Sequence, residues 1–152
     1  MNIVLHQPEI PHNTGAIGRT CLMTGSALHL IRPYGFFLDE KSLKRAGLDY
    51  WHKINVSEYD NFDDFLQKNP SCNFYLIETS GEKSYVDITY QPNDFIIFGS
   101  ETVGLPQDIL QTYSDRVVRI PMVQGERSIN LSVAAGVVLY EALRQVGFCG
   151  MV

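Results

Sequence analysis

Short apolar runs alternate with longer stretches of helical period along this chain, and that alternation confines it to one class of fold. Residues 2–5 (NIVL), 27–31 (ALHLI), 74–77 (FYLI), 95–98 (FIIF) and 117–120 (VVRI) are rich in β-branched and aromatic side chains and bounded by Gly, Pro, Asn or Asp. Runs of this kind read as strands buried on both faces. Between them, 14–24, 39–48, 62–67, 106–111 and 130–145 have helical character. Strand–helix alternation predicts an α/β fold with a mainly parallel sheet flanked by helices. With 152 residues, 45% of them hydrophobic, the chain can bury a real core, and residues 1–152 read as one domain ending in a short tail from Gly147. No apolar run approaches the ~18 residues of a membrane span. The first residues lack a basic segment followed by an apolar one, so no secretory leader is expected. Cys21, Cys72 and Cys149 are odd in number and far apart, which points to a reducing, cytoplasmic setting.

The last helix carries two messages. Asn130 or Ser128 can cap its start, and Leu131, Ala134, Ala135, Val138 and Ala142 follow at helical spacing. Ser132 and Gly136, four apart, leave part of its surface almost without side-chain bulk. Such a surface suits close packing, either on the chain's own sheet or on a second subunit.

Several chemistries lack their residues. His6, His12, His29 and His52 show neither i,i+4 pairing nor cysteine partners, so no metal site is expected; His29, inside an apolar strand, reads as structural. Gly99-Ser100-Glu101 follows a strand but does not make a G-x-S-x-G elbow. Walker A and G-x-G-x-x-G motifs are missing, which argues against triphosphates and dinucleotides.

Three loop segments stand out instead. Residues 11–20 (PHNTGAIGRT) follow the first strand; Asn13 or Thr14 reads as a helix cap, and Arg19 lies roughly one and a half turns further on. A lone arginine there can join a salt bridge or hold a phosphate bidentately. Residues 97–106 (IFGSETVGLP) run from a strand through two glycines to Pro106, which suits a helix start. Residues 120–132 (IPMVQGERSINLS) again leave a strand and introduce the last helix. With 74–80 (FYLIETS), these strand-end loops can wall one pocket of apolar side chains and free backbone groups, suited to an adenine and a ribose.

Charge complicates the choice of partner. The formal net charge is −5, which argues against a polyanion at long range. Lys41, Lys44 and Arg45 nevertheless fall on one helical face and lead into Tyr50-Trp51-His52-Lys53. Basic residues beside stackable rings serve a nucleic-acid surface, or simply a solvated helix face.

In this order the segments NIVLHQPEIPHNTGAIGRTC, LKRAGLDYW, FGSETVGLP and RIPMVQGERSINLSVAAGVVLYEALRQ resemble the SPOUT (SpoU–TrmD) RNA methyltransferases. The match is nearest to the small group that 2′-O-methylates the wobble nucleotide of tRNA, the tRNA (cytidine(34)-2′-O)-methyltransferase type. The resemblance implies a C-terminal trefoil knot, against the strong general bias towards unknotted chains. It also implies S-adenosyl-L-methionine as methyl donor, tRNA as substrate and a homodimer as working unit. Carried over by position, Ile77, Gly99, Ile120 and Ser128 become cofactor contacts, with Met122 and Leu131 contributing backbone. Arg19 becomes the residue acting on the ribose 2′-hydroxyl, through a phosphate. Asn13, Glu101, Gly104, Asn130 and Tyr140 match other motif positions, and Lys41, Lys44 and Arg45 would contact RNA. Two other readings stay open: 2′-O-methylation at another tRNA or rRNA site, and a non-catalytic RNA-binding or assembly factor on the same fold. Gln124-Gly125-Glu126 has no counterpart role in the resemblance.

Overall fold

A computed structural model describes residues 1–36 and 50–152. The predicted helix at 39–48, with Lys41, Lys44 and Arg45, lies outside the described residues. Seven strands, β1 (Asn2–His6), β2 (Ala27–Ile31), β3 (Val56–Tyr59), β4 (Phe74–Ile77), β5 (Lys83–Ser84), β6 (Phe95–Phe98) and β7 (Val117–Arg119), form one sheet in the order β3-β2-β1-β6-β4-β7-β5. Every pairing is parallel. Among the described residues the α-helices are α1 (Pro11–Thr24), α2 (Phe62–Lys68), α3 (Gln107–Thr112) and α4 (Leu131–Gln145).

The period of two within each strand sorts side chains between two apolar layers. Ile3, Leu5, Leu28, Leu30, Ile96 and Phe98 pack with Ile17 and Cys21 of α1 and with Val138, Leu139 and Ala142 of α4. Val4, Ile31, Leu76 and Ile97 turn to the other face, onto Phe62 and Phe65 of α2 and Ile109 and Leu110 of α3. This double burial explains why these strands read as unbroken hydrophobic runs. β3 and β5 escape that pattern. β3, at the sheet edge, buries only Tyr59 among Val56, Ser57, Glu58 and Tyr59, and β5 has only two residues.

Two helix starts follow different rules. α1 begins at Pro11 with Ile10 as cap residue, so Asn13 and Thr14 lie inside the helix and neither caps it. Proline at the first helical position has its φ preset and no N–H to satisfy, and a carboxylate from a distant loop does the capping, as described below. At α4, Asn130 is the cap: its side chain accepts from the N–H groups of Ser132 and Val133. Ala135 and Val138 of α4 are buried, whereas a Cβ on Gly136 would meet nothing within 4 Å. The alanines of this helix thus pack on its own sheet, whereas Gly136 faces open space.

β7 lies between β4 and β5, although it follows both in sequence. The segment joining β4 to β5 runs directly against it: Glu78 N–H donates to the Val118 carbonyl at 3.0 Å. A Cβ on Gly81 would come within 2.6 Å of the Val118 carbonyl carbon. Glycine at 81 thus permits a backbone-on-backbone crossing, an arrangement consistent with the threaded C-terminal segment that the resemblance implies.

Candidate active site

Because all strands run parallel, the loops after β4, β6 and β7 emerge on the same side of the sheet. Open α/β sheets bind ligands at this side. Here the loops enclose a cleft of about 700 Å³, within the range of small-ligand sites. Ile77, Phe98, Ile120, Leu131 and Ala134 form its apolar wall. Asn13, Gly99, Glu101, Gly104, Met122, Ser128 and Asn130 also line it.

The β6 loop is folded tightly on itself. Ser100 and Gly104 exchange backbone hydrogen bonds, N–H to carbonyl, at 3.2 and 3.0 Å. Gly104 has φ +72°, a conformation natural to glycine. A Cβ on Gly99 would collide with the backbone of Gly104 and Leu105. Both glycines are thus required by the shape of the loop, independently of any ligand.

One polar chain ties the three loop segments together. Asn130 Oδ1 accepts from the Ser132 N–H at 2.9 Å and from the Ser132 hydroxyl at 2.7 Å, which fixes the orientation of its amide. Its Nδ2 therefore faces and donates to Asn13 Oδ1 at 3.1 Å. Asn13, buried, in turn donates from Nδ2 to Glu101 Oε1 at 3.0 Å. Glu101 also accepts from the N–H groups of Glu9 (2.8 Å) and Ile10 (3.2 Å) at the start of α1. A carboxylate at this position satisfies free N–H groups and complements the positive end of the helix. Glu9 reciprocates by accepting from the N–H of Thr102 at 3.0 Å. The caps of α1 and α4 are thereby one network.

Two motif residues stand apart from the cleft lining. Arg19 is exposed, with its guanidinium 5.8 Å from the centre of the Tyr50 ring, and it has no ion-pair partner among the described residues. Tyr50 in turn donates from its hydroxyl to the Gly15 carbonyl at 3.1 Å. Gly18, next to Arg19, lets this segment close in: a Cβ there would come 2.8 Å from Ile54 Cδ1. Tyr140 lies on the outer side of α4, half exposed, beside Phe148.

The cleft also contains Glu78 and Thr79, which sequence reading did not single out within FYLIETS. Among the described residues no group of three His, Cys, Asp or Glu is placed to hold a metal ion. His29 is buried within the sheet, with Tyr59 and Asn2 as partners of its ring nitrogens. No described helix is long and apolar enough to cross a membrane.

Comparison with known proteins agrees with this geometry. The SpoU rRNA Methylase family pattern matches residues 1–140. A tRNA (cytidine(34)-2′-O)-methyltransferase from Saccharophagus degradans is 48% identical over 150 residues, covering 98% of this chain and 97% of that protein. A solved structure described as "Structural insights into the 2-OH methylation of C/U34 on tRNA" superposes with a TM-score of 0.88 at 42% identity, over 95% of each chain. An AdoMet-bound rRNA methyltransferase from Sinorhizobium meliloti superposes with a TM-score of 0.79 at 25% identity, over 95% of this chain and 56% of that one. The likeness spans nearly the whole chain, and the chain belongs to the SpoU rRNA methylase family.

Proposed function

We propose that this protein transfers a methyl group from S-adenosyl-L-methionine to the ribose 2′-hydroxyl of nucleotide 34, cytidine or uridine, in tRNA. The observation carrying this reading is the near-full-length likeness to a tRNA (cytidine(34)-2′-O)-methyltransferase, combined with a cleft at the carboxyl ends of the parallel strands. The cleft fits the donor: its walls are apolar enough for an adenine, and its loops present backbone and hydroxyl groups for a ribose and an amino-acid tail. Ile77, Ile120 and Leu131 would pack the adenine, with Gly99, Met122 and Ser128 contributing close backbone and polar contacts. S-adenosyl-L-methionine supplies an already activated methyl group, so what the chain must add is mainly the positioning of the acceptor hydroxyl.

Arg19 is the residue we assign to that positioning, through an RNA phosphate. It stands outside the cleft lining of its own chain, so we further propose a homodimer in which two copies share one RNA-binding face. Exposed Val133, Val137 and Tyr140 on α4, with Phe148 beside Tyr140, support the dimer surface. Gly136, with open space around it, would allow close approach there. In this reading residues 1–152 act as one catalytic unit, and its tRNA substrate places the work in the cytoplasm. Lys41, Lys44 and Arg45 would add local positive charge on a molecule of net charge −5.

The test is methylation of bulk tRNA with labelled S-adenosyl-L-methionine, followed by mapping of the labelled nucleoside. Label in the 2′-O-methyl ribose of nucleotide 34 is the expected result. Label at another tRNA position, or in rRNA alone, would overturn the substrate assignment while leaving the reaction class intact.

A further inference from the structure

The residue that follows the apolar floor of the cleft is an acid. Ile77 ends β4, and Glu78 then places its carboxylate in the cleft wall. The two oxygens are held unequally. Oε1 accepts from the Thr79 N–H at 2.8 Å and the Thr79 hydroxyl at 3.2 Å, whereas Oε2 accepts from the Leu105 N–H at 3.2 Å. A carboxylate oxygen has two acceptor directions, so Oε2 keeps one in hand. Gly104 makes the room for it: a Cβ there would stand 2.5 Å from Oε2.

Glu101, the other acid braced in this wall, differs in its duties. Its oxygens take three donors, all serving the network at the start of α1. Glu78 instead sits one residue beyond the apolar surface suited to a purine. The sugar of a purine nucleoside lies one glycosidic bond from its base, where polar atoms of the wall begin. Acids near the carboxyl ends of parallel strands serve ribose hydroxyls in other open α/β sheets.

Resting on the assignment of the cleft to S-adenosyl-L-methionine, we propose that Glu78 is a specificity-determining binding residue: its Oε2 accepts a hydrogen bond from a ribose hydroxyl of the adenosyl group. The site then selects a ribonucleoside over a deoxynucleoside. Loss of a hydrogen bond to a charged group in a partly buried site corresponds to about a tenfold or greater change in affinity.

Calorimetric titration with S-adenosyl-L-homocysteine and with its 2′-deoxy and 3′-deoxy forms tests this. The unsubstituted protein should bind at least one deoxy form about tenfold or more weakly than the parent compound. Glu78→Ala should weaken the parent by a similar factor and bind all three alike. Glu78→Gln, which keeps the side-chain length and a partner for Leu105, should fold even if the alanine variant does not, and should reduce the discrimination. Equal binding of all three compounds by the unsubstituted protein overturns the proposal. So does discrimination that persists undiminished in Glu78→Ala and Glu78→Gln, because Glu78 would then only brace the loop. An unsubstituted protein that binds no S-adenosyl-L-homocysteine overturns the cofactor assignment itself, a result separable from the other two.

Discussion

Arg19 and Gly99 are assigned two different kinds of contribution, one to the chemistry and one to the shape of a loop. Arg19 has a free guanidinium face next to Tyr50 and is assigned a partner only in the RNA. Arg19→Ala should therefore lower methyl transfer by about a hundredfold or more while leaving the calorimetric affinity for S-adenosyl-L-homocysteine unchanged. An unaffected transfer rate would remove Arg19 from the reaction. Arg19→Lys should rescue little, since an ammonium lacks the planar, two-pronged donor set. Gly99 acts first through the geometry of its loop. In Gly99→Ala the new methyl group meets backbone rather than a yielding side chain. The expected cost is about 1–3 kcal/mol in urea denaturation, with cofactor affinity reduced as the loop shifts. Both residues were legible in the sequence because each sits in a short motif. Glu78 was not, because nothing local distinguishes an acid that binds a ligand from one facing solvent.

At the scale of elements, side chains from strands and helices hold neighbours in register. His29 in β2 reaches across both adjacent strands. Asn2 of β1 donates from Nδ2 to the Asn93 carbonyl at 3.0 Å, which turns its Oδ1 towards His29 Nε2 at 3.2 Å. The imidazole therefore carries its proton on Nε2 and accepts at Nδ1 from the Tyr59 hydroxyl of β3, 2.9 Å away. Burial holds the His29 pKa down to about 4, against an ordinary value of 6.5. Between these values the unfolded chain takes up a proton that the native state refuses. Stability should consequently fall as the pH is lowered from about 6.5 towards 4, by up to ~3 kcal/mol from this group. His29→Gln should flatten that slope in urea denaturation across this pH range, and an unchanged slope would assign the effect to other groups. The Asn13–Asn130 pair joins α1 to α4 in the same manner. Asn130→Ala should cost about 1 kcal/mol through the lost cap. A double-mutant cycle with Asn13→Ala should show coupling of about 0.5 kcal/mol or more, whereas additive losses would mean that the two caps work separately. The cap of α4 was readable from local spacing. That of α1 was not, because Glu101 supplies it from 91 residues away.

The whole molecule presents one face that its own fold does not explain. Val133, Val137 and Tyr140 recur on the outer side of α4 and stay exposed, whereas Ala134, Ala135, Val138, Leu139, Ala142 and Leu143 of the same helix are buried. If this face joins two copies, sedimentation at micromolar concentration should show a species of twice 17.2 kDa. Val137→Glu should convert it to monomer and reduce methyl transfer. A monomer in the unsubstituted protein would overturn both the dimer and the shared RNA face. The amino-acid sequence by itself determined the α/β class, the two-sided burial of the main strands and the loops facing the ligand. These follow from the spacing of apolar residues and from motifs only a few positions long. Tertiary structure alone decided the strand order that brings 77–79, 98–104 and residues between 120 and 134 around one cleft. It also decided the orientation of Asn13 between residues 88 and 117 positions away, and the placement of Arg19 outside the cleft of its own chain. Those outcomes depend on hydrogen bonds and backbone contacts between distant segments, and a local pattern carries no record of which distant segment will meet it.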